Sequence, residues 1–326
     1  MSIHLTDKEI VNYVYELNGY NLSESKILDI RQTISEDAKK WSNEEQQNHT
    51  VNEYLENFSE ERMAVGLDEG KAFIRSEKKN EDTKKYDRAF RNVKLAVAYP
   101  IDEKGKKCGQ SLYAGEIHKP LEDFGDDFKK LLIESNFNSA VTKAVLSDGA
   151  NGYADFLKEH CPDAIHILDS IHLKEHIWII AKTLHPDIQG KPAQDAMNFV
   201  NEHYERLKEN GFKSFIRILS FIKQNLKDNA AIHKIWDNEL NYFNKNEYRL
   251  DYPRYIELNL PLGSGVIEGS IKHICNKRLK KGSPCWLLKS VSGLLELRII
   301  WFTDSFNNFW EWRNYNLSKK NYEFIA

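Results

Sequence analysis

Apolar positions recur with a helical period at both ends of the chain and with a strand-like pattern between them. Ile10, Val14 and Leu17 follow Thr6 and Glu9, a pair with capping-box spacing, and Asn18-Gly19 supplies a stop. A polar helical stretch rich in Glu, Lys and Gln follows from about Ser23 to Asn57. The character changes at Arg62. MAVGLD, KAFIRS, NVKLAVAYP and SLYAGEI are short runs of small and β-branched residues, which predict a meander of strands with SEKKNEDTKKYDR as a charged loop. Phe124, Phe128, Leu131 and Leu132 return to helical spacing. KAVLS, a helix from about Gly152, AIHILD and a helix from about Ile171 then alternate as β and α units. From about Lys191 to Arg249 the pattern is helical, with Phe199, Tyr204, Leu207, Phe215, Ile218 and Phe221 on its apolar faces. Gly and Pro cluster at Pro253 and at Pro261 to Gly265, ahead of a long amphipathic helix from about Gly265 and an aromatic helical tail, Trp301 to Trp312.

Strands followed by alternating β and α units predict an α/β fold, a mixed sheet flanked by helices. Four regions are expected: a helical N-terminal region over 1–61, a first part of the core over 62–190, an all-α insertion over 191–255, and a completion of the core over 256–326. The insertion is expected to form a separate helical subdomain that covers the active site or binds nucleic acid.

Composition narrows the class. No apolar run is long enough for a membrane span, and the N-terminus lacks the basic and apolar regions of a signal peptide. Cys108, Cys161, Cys275 and Cys285 form no CxxC pair, which speaks against a zinc ribbon and fits a reducing cytoplasm. The formal net charge of −3 argues mildly against nucleic acid. Locally the balance reverses. Lys272, Lys277, Arg278, Lys280, Lys281 and Lys289 lie between Ser270 and Ser290 with no acid among them. Such a block contacts phosphates or forms a solvated helix face.

Two acids end apolar runs: Asp68 after MAVGL, and Asp148 after KAVLS. Two-metal phosphoryl transfer needs carboxylates that converge on ions about 3.5–4 Å apart, and strand ends hold them rigidly. Asp in such places also caps the next turn or helix. The third element is PLGSGVIEGSIKHICNKRLKKGSPCW, where Ser264 is placed to N-cap a helix bearing Glu268. On it Glu268, Lys272 and Cys275 are expected to share a face beside an apolar one of Ile267, Ile271 and Ile274.

GSGVIEG, the basic run ending in KRLKKG, and Trp286 together resemble the C-terminal signature of bacterial insertion-sequence DDE transposases of the ISKra and ISLre type. SDGA followed by ILDSIHL resembles the second-aspartate block of that family, and Asp169-Ser-Ile-His172 its DxxH element. The resemblance runs over roughly Val65 to Trp312. It implies an RNase H-like core and a metal-binding triad of Asp68, Asp148 and Glu268 holding two Mg2+ or Mn2+ ions. Asp169 and His172 would support the site or contact DNA. Lys272, Lys277, Arg278, Lys280 and Lys281 would follow the DNA backbone, with Trp286 packing or stacking nearby. DNA cleavage and strand transfer, transposon-end and target DNA as partners, a homodimer or higher oligomer, and a bacterial nucleoid-associated location follow as expectations. The chain departs from the pattern at LDEG, where Glu69 competes with Asp68, and at Asn151, Gly152 and Ile171. Its N-terminal region shows no zinc or helix-turn-helix signature, which leaves a domesticated DNA-binding relative as an alternative.

A different chemistry is also legible. His172-Leu-Lys-Glu175-His176 matches the HxxEH string of a zinc protease class, with two histidines one helical turn apart. Dinucleotide, Walker A and GxSxG strings do not occur.

Overall fold

The computed structural model describes residues 4–48, 61–149, 152–188, 190–282 and 284–323. The polar stretch from 49 to 57 lies outside them. Two helices open the chain, α1 (Asp7–Asn18) and α2 (Glu24–Asn48). The Thr6–Glu9 capping box forms in both directions, and Gly19 ends α1 in the left-handed conformation.

The centre is a mixed six-stranded sheet. It contains β1 (Arg62–Lys79), β2 (Tyr86–Pro100), β3 (Leu112–Ile117), β4 (Thr142–Ser147), β5 (Ile165–Leu168) and β6 (Trp286–Leu287). The order is β3-β2-β1-β4-β5, with β6 pairing separately with β1. β1, β2 and β3 are antiparallel neighbours, whereas β4 and β5 run parallel to β1. MAVGLD and KAFIRS are one strand rather than two, and most of the expected charged loop is ladder: only Asn80–Lys85 turns between β1 and β2. Exposed on one face and rich in charge, that ribbon lacks the apolar alternation by which strands are read.

Each face of the sheet has its own core. Met63, Val65 and Leu67 face α3 (Gly125–Glu134) and α4 (Tyr153–His160), where Phe128 and Phe156 pack. Ala64, Ala72 and Ile74 face the larger core. That core includes side chains of α5 (Ser170–Leu184), α6 (Gln194–Gln224, kinked at Gly211), α7 (Ala230–Lys245) and α8 (Tyr252–Glu257). Phe215, Trp236 and Phe243 therefore share one apolar cluster with Leu146 and Ile167 of the sheet.

The remaining helices follow the Gly/Pro cluster. α9 (Gly265–Ser270) passes into a π-helical stretch, Ile271–Asn276, and a last turn, α10 (Lys277–Leu279). α11 (Leu288–Phe302) and α12 (Phe306–Glu323) close the chain. Ala38 and Trp41 of α2 pack with Leu297, Ile300 and Phe309, so the expected aromatic tail anchors the N-terminal helices. Among the described residues no helix is long and apolar enough to cross a membrane.

Candidate active site

Register places the acids. Leu67 pairs with Ser147, and Ser147 with Leu168. One residue beyond this paired row come Asp68, within β1, and Asp148 and Asp169, just past the ends of the neighbouring parallel strands β4 and β5. Their alignment follows from the fixed repeat of a β-ladder, in which equal steps along parallel strands keep residues side by side. The Asp169 N–H donates to the Ser147 carbonyl at 3.1 Å, which extends the ladder to the row itself.

Alternation along β1 separates Asp68 from Glu69. Asp68 shares its face with Gly66 and Gly70, whereas Glu69 accepts a 2.7 Å bond from the Tyr153 hydroxyl of α4 on the other side. The two glycines explain how a helix reaches Asp68. A Cβ on Gly66 would stand 3.0 Å from the Ile267 Cβ, and one on Gly70 would stand 3.5 Å from the Cys275 Cβ. With no side chains there, α9 and the π stretch settle onto β1, and Glu268 comes over the carboxylate row. Cys275 is buried with Ile271 and Ile274, while Lys272 is exposed. The wider π turn shifts the phase, so Cys275 joins the apolar face rather than sharing one with Glu268. Arg298 from α11 donates to the carbonyls of His273 and Ile274 in that turn.

The charges feel one another. Burial raises the Asp68 carboxyl to about 6, against the bond donated by the Glu69 N–H; Asp148 and Glu268 raise it further and His172 opposes them. Asp169 is fully buried and caps α5 by accepting from the Ile171 N–H at 2.8 Å. Its cap sets His172 in the first turn of that helix. Burial lowers the His172 imidazole, but Asp169, Glu175 and Asp148 outweigh it and the net shift is upward. Asp169, His172 and Glu268 offer ligand atoms within 4.8 Å of one another, the tightest such His/Asp/Glu grouping among the described residues.

Ser264 joins the halves of the site. It occupies the N-cap position of α9 but makes no side-chain cap. Its hydroxyl faces Asp169 and lies 3.0 Å from Glu268 Oε1. One hydroxyl proton cannot serve two carboxylates at once, which makes this corner a natural place for a cation. Below the row, the buried Arg249 donates to the carbonyls of Ser147, Asp148 and Ile167 and to the Ser147 hydroxyl. Tyr252 and Tyr255 donate to the carbonyls of Leu168 and His166 on β5. Sequence reading found neither Ser264's role nor Arg249. Ser264 carried a signal in GSGVIEG, whereas Arg249 carried none.

The basic block divides. Lys272, Lys277 and Lys280 are exposed. Lys281 pairs with Glu9 at 2.7 Å. Arg278 and Trp286 are buried, with the Arg278 guanidinium 5.0 Å from the Trp286 ring centre and Arg31 at 5.4 Å. The Trp286 indole donates to the Leu279 carbonyl. In this structure Trp286 packs rather than presenting a ring for stacking, and Arg278 is a core cation rather than a surface one. The histidines of the HxxEH string diverge: His172 Nδ1 lies 3.0 Å from Glu175, and His176 Nδ1 lies 2.6 Å from Glu239 with its ring stacked on Tyr242.

No family model matches this chain, and no curated protein matches it.

Proposed function

We propose that the chain is a DDE-type transposase with an RNase H-like core and a helical insertion, which cleaves DNA strands and transfers the new ends. The observation that carries the reading is the row of Asp68, Asp148 and Asp169, with Glu268 brought over it by a helix seated on Gly66 and Gly70. An antiparallel meander followed by two parallel strands, with acids on β1 and at the end of β4, supports the fold assignment. The carboxylates of Asp68, Asp148 and Glu268 fit Mg2+ or Mn2+; burial raises the Asp68 carboxyl, Asp148 and Glu268 add to it, and a divalent cation would relieve that added crowding of like charge. When bound, the ions stabilise charge at the scissile phosphate and lower the pKa of an attacking hydroxyl.

The chain's own groups hold and orient. Asp68 is fixed by the ladder, the Asp148 backbone by the Arg249 guanidinium, and Glu268 by the seating of its helix on Gly66 and Gly70. Asp169 keeps α5 capped and thereby holds His172 beside the row. Lys272, Lys277 and Lys280 face solvent beyond Glu268, where they offset phosphate charge without reading sequence. The test is incubation with supercoiled plasmid: Mg2+ or Mn2+ gives nicked circles and EDTA abolishes them. Binding of DNA without nicking in either cation would instead make the chain a DNA-binding relative without catalysis.

A further inference from the structure

β1 and β2 outrun the rest of the sheet. Their pairing continues past the carboxylate row through Lys71↔Asn92, Phe73↔Phe90 and Arg75↔Arg88, and closes at Lys79↔Tyr86. β3 stops at the pair Val93↔Ile117, whereas β6 touches only Ile74 and Arg75. Alternation sorts this ribbon into two faces. Ala72 and Ile74 turn to the core. Lys71, Phe73 and Arg75, with their partners Arg88, Phe90 and Asn92, turn the other way.

That outer face combines two properties. Phe90 is 64% exposed, its ring 4.9 Å from that of Phe73. Around the pair stand Lys71, Arg75 and Arg88, and none of the six residues is acidic. The Arg75 guanidinium lies 4.5 Å over the Tyr86 ring. Residues 71–92 hold eight Lys or Arg against four Asp or Glu, in a chain whose net charge is −3. Cations alone would be an ordinary solvated face, and one exposed Phe an ordinary surface residue. An aromatic pair ringed by cations on a strand surface fits unpaired nucleotides, whose bases stack on rings while Lys and Arg follow the phosphates. A duplex, with its bases already stacked, offers the rings nothing equivalent. Phe73 is five residues beyond Asp68 on one strand, roughly 17 Å along it at ~3.3 Å per residue, and the odd spacing puts it on the opposite face, the one Glu69 shares.

We propose that this ribbon face, on the side of β1 opposite the carboxylate row, binds single-stranded DNA. The choice of DNA rests on the transposase reading, whereas the platform rests on the ribbon alone. Fluorescein-labelled oligo(dT) and a duplex of equal length are titrated with the full chain, without divalent cation, and followed by anisotropy. Phe90→Ala should weaken oligo(dT) binding roughly tenfold and duplex binding less than about twofold. The Arg75→Gln/Arg88→Gln double variant should reduce the salt dependence of oligo(dT) binding by about 1.4 in log–log slope, at ~0.7 per phosphate. Circular dichroism and melting confirm that each variant folds. Unchanged oligo(dT) affinity in Phe90→Ala, or equal losses on both DNAs, would overturn the platform. Wild-type protein that fails to nick plasmid yet binds oligo(dT) through Phe90 would keep the platform and overturn only the enzyme reading.

Discussion

Gly66 lies directly beneath Ile267, so closely that a methyl group on the glycine would stand 3.0 Å from the Ile267 Cβ and 3.1 Å from its Cγ2. A Cβ next to the helix backbone has little room to give. Gly66→Ala should therefore lift α9 from β1, costing about 1–3 kcal/mol in urea unfolding. It should also weaken Mn2+ binding, because Glu268 moves with Ile267. Stability and Mn2+ affinity both equal to wild type would mean that this contact does not seat the helix.

Arg249 ties the ends of β4 and β5 together from below. Its buried guanidinium serves three carbonyls and a hydroxyl. Arg249→Met keeps much of the volume but strands those acceptors, at about 1–3 kcal/mol for each one left unpaired. A loss of at least 2 kcal/mol is expected by denaturant unfolding. A loss below 0.5 kcal/mol (about the scatter of a neutral surface change) would show that water replaces the guanidinium without cost.

Much of this was legible in sequence. MAVGL and KAVLS are apolar runs because their strands are buried on both faces, and the acids that end them mark where burial stops. The capping box of α1 is a local pattern, and local patterns survive in sequence. What stayed hidden depends on pairing across distance. The far end of the ribbon, Ser76–Lys79 and Tyr86–Arg88, has no hydrophobic alternation, so it passed for a loop. The π turn shifted Cys275 away from Glu268, because residue spacing assumes a regular helix. Arg278 read as a surface cation because its partners, Trp286 and the distant Asp7, are brought to it only by folding.

Asp68 makes stability depend on pH in the metal-free protein. Its carboxyl titrates at about 6 when folded, mainly through burial, and near 4 when unfolded. Between those values the folded state holds a proton that the unfolded chain has released. The contribution is thus present below about pH 4, falls as pH rises, and is lost above about pH 6. Asp68→Asn should be more stable than wild type at pH 7, with the gap closing towards pH 4. A gap that widens on acidification would contradict the raised value.

The histidines of α5 should behave differently. His176 is held by Glu239 and Tyr242, away from the row, so His176→Ala should leave Mn2+ affinity unchanged while lowering stability. His172→Ala should weaken Mn2+ binding, because His172 offers a ligand atom within 4.8 Å of those of Asp169 and Glu268, beside the proposed carboxylate set. Metal analysis of protein purified without added ions checks the alternative. Stoichiometric zinc that disappears in both variants would return the HxxEH string to consideration.

Cutting of DNA by Asp68, Asp148 and Glu268 acting together is the activity proposed for this site. The direct measurement is nicking of supercoiled plasmid in Mg2+ and Mn2+ by wild type and by Asp68→Asn, Asp148→Asn and Glu268→Gln, each near-isosteric and each checked for folding. Wild type should nick with either cation, and each variant should fall by at least roughly a hundredfold, as expected when a group acting in a single constellation is removed. Nicking that persists at wild-type rates in any of the three variants would contradict the account.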